Sequence, residues 1–155
     1  MKRWLAATTL YLACVAPARA EFEIGYAHVD EIDGETSQGV VGSWLHPIER
    51  WKRADIHIEL LGGAIRGRDG QVLEIDRRDN FFVGAGLRKH FGGFFVGAGV
   101  AVVARETTLL SSSAQLVTSL GWARSHLTIA FRHISNANTG GNNDGENLLS
   151  IGYRW

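Results

Sequence analysis

The segment 80–104, NFFVGAGLRKHFGGFFVGAGVAVVA, narrows the choice of fold more than any other part of the chain. Within 80–89, Phe81, Val83, Ala85 and Leu87 alternate with Phe82, Gly84, Gly86 and Arg88. After a tight turn at 90–93, the segment 94–104 sets Phe94, Val96, Ala98, Val100 and Val102 opposite Gly97, Gly99 and Ala101. A period of two is the signature of a strand. Adjacent strands with glycine on one face and bulky apolar groups on the other suit the narrow interior of a small closed barrel.

The same alternation recurs along the chain. Strands are expected at 22–30, 38–46, 54–64, 80–89, 94–104, 114–122, 126–135 and 147–155. In the first, Phe22, Ile24 and Tyr26 oppose Glu23, Gly25 and Ala27; in the second, the facing is unsettled because Val40 and Val41 are both apolar, and Pro47 is expected to end it. In the third, Ile56, Ile58 and Leu60 oppose Asp55, His57 and Glu59, with the charged side inward. A soluble sandwich would hide the apolar face and a membrane barrel would turn it to lipid, so that strand alone does not choose. Beyond the N-terminal segment no apolar run approaches the ~20 residues of a membrane helix. Glycine makes up 19 of 155 residues, well above the usual share of about 7%, and proline only 2. Connections at 31–37, 66–79, 105–113 and 136–146 are long, and those at 47–53, 90–93 and 123–125 are shorter. Long loops outside and short turns in the periplasm are the pattern of outer-membrane barrels. The expected fold class is therefore all-β, an eight-stranded antiparallel transmembrane β-barrel of the bacterial outer membrane. Trp44, Trp51, Trp122, Tyr153 and Trp155 read as its interfacial belts.

Residues 1–20 read as a cleaved secretory signal: Lys2 and Arg3, an apolar middle, then Ala18-Arg19-Ala20. The barrel is expected to occupy 21–155. Lipoprotein processing at Cys14 is the lesser reading, because Tyr11 stands where such sites carry an aliphatic residue. Loss of Lys2, Arg3 and Arg19 leaves 13 basic against 16 acidic residues, a net charge of −3. Neither a nucleic-acid partner nor a polybasic anchor is indicated. Cys14, the one cysteine, leaves too, which excludes disulfides, thiol nucleophiles and cysteine metal sites from the remainder.

Chemistry concentrates in 131–155, FRHISNANTGGNNDGENLLSIGYRW. Alternate residues of a strand share a face, so Leu127, Ile129, Phe131, His133 and Ser135 lie together, and the apolar three mark that face as the lipid side. A base and a hydroxyl two residues apart form an activated nucleophile. Facing the bilayer, they need a lipid substrate. Asp144 and Glu146 follow in a polar, glycine-rich loop, and Glu146 is the first choice to hold the imidazole in its working tautomer. Backbone groups around Asn136 and Ala137 are candidates for oxyanion donors.

The run His133-Ile134-Ser135-Asn136-Ala137, followed by Asn143-Asp144-Gly145-Glu146, resembles the signature of the outer-membrane lipid A 3-O-deacylases of the PagL type. That resemblance implies an eight-stranded barrel with a His-Ser-Glu triad on its lipid-facing wall. It also implies a carboxylic ester hydrolase that removes the acyl chain at the 3-position of lipid A, with lipopolysaccharide and outer-membrane lipids as partners and no cofactor or metal. Some members of the family carry the acid one residue further on, where this chain has Asn147. By strand parity Asn147, not Glu146, shares the face of Leu149 and Ile151. Asn147 is thus the alternative third member, as an asparagine is in outer-membrane phospholipases that also use an H-x-S pair.

Plainer readings stand beside these. His57 and Glu59 read as interior polar filling, and His28, His46, His90 and His126 lack the spacing of metal ligands. Calcium in the Asn/Gly/Asp loop is disfavoured by the lack of a regular carboxylate pattern. An outer-membrane phospholipase is the alternative enzyme. The charge-rich segment 66–79 motivates a non-catalytic structural or adhesion barrel, and a water-soluble periplasmic β protein is a third option. The sequence leaves a homodimer open.

Overall fold

A computed structural model describes residues 20–30, 36–68, 78–107, 109–137 and 145–155. The signal expected over 1–20 lies outside them but for Ala20, as do Asn143 and Asp144. The strands are β1 (Glu21–Asp30), β2 (Thr36–Pro47), β3 (Ile56–Ile65), β4 (Asn80–Phe91), β5 (Phe94–Val103), β6 (Ala114–Arg124), β7 (Leu127–Ser135) and β8 (Glu146–Arg154). Each pairs antiparallel with its neighbour in sequence, and β8 returns to β1, closing the barrel. Closure leaves no unpaired edge, the condition for a sheet to cross a bilayer.

The barrel is inside out relative to a water-soluble protein. Phe94 is 66% exposed and Val83 61%, while Arg88 is fully buried. Bulky apolar groups of all eight strands point outward, Ile24, Val40, Leu60, Leu87, Val100, Leu120, Ile129 and Ile151 among them. An apolar wall of that extent would be costly in water and is matched to hydrocarbon.

The inward charges are satisfied by one another. Arg88 Nη1 donates to Glu23 Oε2 at 2.8 Å, and Arg88 also pairs with Glu59. Arg132 lies 3.5 Å from Glu59 and donates to Ser43 and Ser150, while Thr128 donates to Glu23 at 3.1 Å. Two guanidiniums against two carboxylates make a neutral network. Burial of charge is tolerable only on such terms. Glycine makes room for it: Gly86 and Gly99 face each other across β4 and β5, and a Cβ on Gly99 would stand 2.7 Å from Gly86 Cα. The network is covered at the long-connection end by Val29, Ile65, Phe82, Ile134 and Leu148, with Leu110 from the β5–β6 connection inserted among them.

Several boundaries differ from the sequence expectation. β2 runs through Pro47 as its last residue, opposite His57, because an end residue has no ladder to continue. Its facing is now clear: Val41 is buried and Val40 exposed. The connection after β2 contains a 3-10 helix, Glu49–Ala54, which takes in Ala54, expected as the first residue of the third strand. Asp55, expected to line the inner side of β3, instead caps that helix at φ 53° with β3 beginning after it. β4 extends to Phe91, so its turn tightens to Gly92, at φ 63°, and Gly93.

Candidate active site

On β7, Leu127, Ile129 and Phe131 are exposed while Thr128, Ala130, Arg132 and Ile134 are buried. His133 and Ser135 continue the exposed parity and are half-buried at the end joined to the long connections. The antiparallel register sets Asn147 of β8 opposite His133, and the same outward parity carries on through Leu149 and Ile151. His133 Nδ1 lies 2.8 Å from Asn147 Oδ1. An amide oxygen only accepts, so this contact puts a proton on Nδ1, and in the neutral ring Nε2 then holds the lone pair. That is the tautomer a general base needs.

The expected third member is elsewhere. Glu146 faces the interior and takes a bidentate ion pair from Arg68, Nη1 to Oε1 at 2.8 Å and Nη2 to Oε2 at 2.6 Å. It is 3% exposed. The cause is parity: Glu146 stands opposite the buried Ile134 and already belongs to β8, so no loop slack remains to swing it onto the outer face. Asn147, the alternative, occupies the position beside the imidazole.

Gly145 closes the gap behind the pair. It adopts φ 75°, and a Cβ there would lie 2.7 Å from His133 Cε1 and 3.0 Å from Ser135 Cβ. Ring and serine therefore border one small space that only glycine leaves open. Gly145 N–H donates to Leu109 O at 3.2 Å, tying the hairpin to the β5–β6 connection. Asn136 is buried and its Nδ2 donates to Ser111 Oγ at 2.9 Å, while Ala137 is exposed at φ 52°. Among the described residues no hydrogen bond joins Ser135 Oγ to His133.

Arg68, Leu109 and Ser111 were not among the expected site residues. Each sits in a connection with no periodicity, and only the closed barrel brings it to the hairpin.

No family model matches the chain, and no curated protein sequence does. Among solved structures it is similar to the outer membrane enzyme PagL, at 18% identity and a TM-score of 0.55, over 85% of this chain and 97% of that one. It is also similar to Neisserial surface protein A, NspA, at 14% identity and 0.57, over 87% and 94%. The chain has the fold of an eight-stranded outer-membrane barrel. At these identities the likeness extends to the fold alone, and one neighbour is an enzyme while the other is a surface protein.

Proposed function

We propose that the protein is an outer-membrane ester hydrolase of the lipid A 3-O-deacylase kind, exported by a cleaved signal and held with its long connections outside the cell. The observation that carries this reading is a base and a hydroxyl on the lipid-facing wall, with the base fixed as the Nδ1–H tautomer by Asn147. Ser135 Oγ attacks the carbonyl of the ester at the 3-position of lipid A as His133 Nε2 takes its proton. Backbone N–H groups around Asn136 and Ala137 receive the oxyanion. Collapse expels the sugar hydroxyl, protonated by His133, and leaves an acyl-serine. Water, deprotonated by the same imidazole, then releases the fatty acid. Asn147 orients the ring and supplies no negative charge to the imidazolium.

Mass spectrometry of lipid A from cells producing the protein tests the reading. Wild type is expected to remove one 3-hydroxyacyl chain, and Ser135→Ala to leave lipid A intact while the barrel still shows heat-modifiable migration. Unchanged deacylation by Ser135→Ala would refute the mechanism.

One feature favours a second reading. An asparagine beside an H-x-S histidine resembles outer-membrane phospholipases more than the deacylases, so phospholipid esters are the competing substrate. Purified protein assayed on both lipids separates the two. Hydrolysis of neither, together with binding to a host or matrix ligand, would point instead to the adhesion barrel.

A further inference from the structure

The outer wall carries a second feature, on strands that hold neither His133 nor Ser135. Tyr26, Val40 and Ala64 lie in register across β1, β2 and β3. Ala64, next to Val40 and two strands from Tyr26, has a short side chain, and a furrow of about 280 Å³ runs over these three residues. Two residues nearer the long connections, roughly 7 Å along each strand, the same face turns polar. Gln38 and Arg66 stand there side by side, with Arg66 N–H donating to Gln38 O at 2.8 Å. Asp79 borders them.

Arg66 is exposed, and among the described residues its guanidinium has no hydrogen bond or ion pair. Asp79 does not engage it: the Asp79 carboxylate accepts from Gly67 N–H at 3.0 Å, and its carbonyl accepts from Arg105 Nη1 at 2.6 Å. Arg105 thus brings a second guanidinium to the same rim. An apolar furrow under a cationic edge has the layout of one lipid molecule. In a bilayer such a furrow is filled by an acyl chain, because an empty one forfeits dispersion contacts. A guanidinium pairs with phosphate through charge-assisted, bidentate bonds, and more strongly at an interface than in water.

We propose that this furrow is a docking site for a phosphorylated acyl lipid of the membrane, its chain against Tyr26, Val40 and Ala64 and its phosphate on Arg66. The site is separate from the hydrolytic one. Tyr26 stands opposite Ile151, four residues along β8 from Asn147, or roughly 13 Å. The lipid here is held and not cleaved, so the proposal stands whether or not the barrel is a hydrolase.

Native mass spectrometry of the detergent-solubilised barrel tests it, with dioleoyl phosphatidic acid as the probe and dioleoylglycerol, which has the same chains and no phosphate, as the neutral control. Wild type is expected to retain one phosphatidic acid at about tenfold lower lipid concentration than dioleoylglycerol, the worth of one charge-assisted bond. Arg66→Gln should reduce phosphatidic acid to the level of dioleoylglycerol. Ala64→Trp, which fills the furrow from the lipid side, should weaken both, and Val40→Phe serves if that variant does not fold. Ser135→Ala should change neither. Equal retention of the two lipids by wild type, undiminished preference in Arg66→Gln, or wild-type retention in the filled variant would each overturn the proposal. So would a preference lost on Arg105→Gln and kept on Arg66→Gln.

Discussion

In the proposed hydrolysis Asn147 would do with an amide what a carboxylate does with charge. Its Oδ1 orients His133 through a 2.8 Å hydrogen bond, but a neutral partner stabilises the imidazolium of the transition state less than an anion would. Asn147→Ala is expected to lower kcat by about 10²-fold, the scale of a lost orienting group near a general base, with KM little changed. Asn147→Asp is expected to raise it by up to about tenfold, which corresponds to about 1.4 kcal/mol of added stabilisation. Steady-state rates on the hydrolysed lipid check both. A rate for Asn147→Ala equal to wild type would remove this residue from the site. Gly145 works by what it lacks, since any side chain there meets the His133 ring and the Ser135 Cβ.

At the scale of elements, the β7–β8 hairpin is held by connections that belong to other strands. Arg68, just past β3, clamps Glu146, and the first residue of β8 thereby fixes the facing of the second. Arg68→Ala removes the bidentate guanidinium partner of a buried carboxylate, a loss of about 3–5 kcal/mol for such pairs. The expected outcome is a lower temperature for loss of heat-modifiable mobility and a reduced kcat, because Asn147 no longer stands firmly against His133. The double variant Arg68→Met with Glu146→Leu should recover most of the thermal loss, since an apolar pair of similar size removes the buried carboxylate together with its guanidinium. If the single variant kept both stability and rate, the clamp would have no part in the site. Leu109 and Leu110 act from the β5–β6 connection, one accepting from Gly145 N–H and the other filling the mouth of the barrel.

For the molecule as a whole, an apolar wall surrounds a neutral network of charge. Arg88→Met would leave two buried carboxylates, Glu23 and Glu59, sharing the single guanidinium of Arg132 in this network. A loss of about 3–5 kcal/mol or more should appear as a sharply lower temperature of heat modification, or as failure to assemble. A barrel as heat-resistant as wild type would show the network to be dispensable. Much of this architecture was legible in the residues: alternation marked eight strands, and paired glycines in 80–104 marked a narrow interior. His133 and Ser135 were legible as face-mates for the same reason, because side-chain direction in a strand depends only on parity. Parity also places Asn147 on their face, and the expectation of Glu146 required a loop adjustment that its place in β8, opposite Ile134, does not leave. What the sequence determined by itself was therefore local and periodic: strands, faces and the placing of the H-x-S pair on one of them. The tertiary structure decided which residues meet across strands and connections: the register of β7 on β8, the Arg68–Glu146 clamp that removes Glu146 from the outer face, and Leu109 against Gly145. Such contacts join residues tens of positions apart, and no local pattern encodes the register and closure that bring them together.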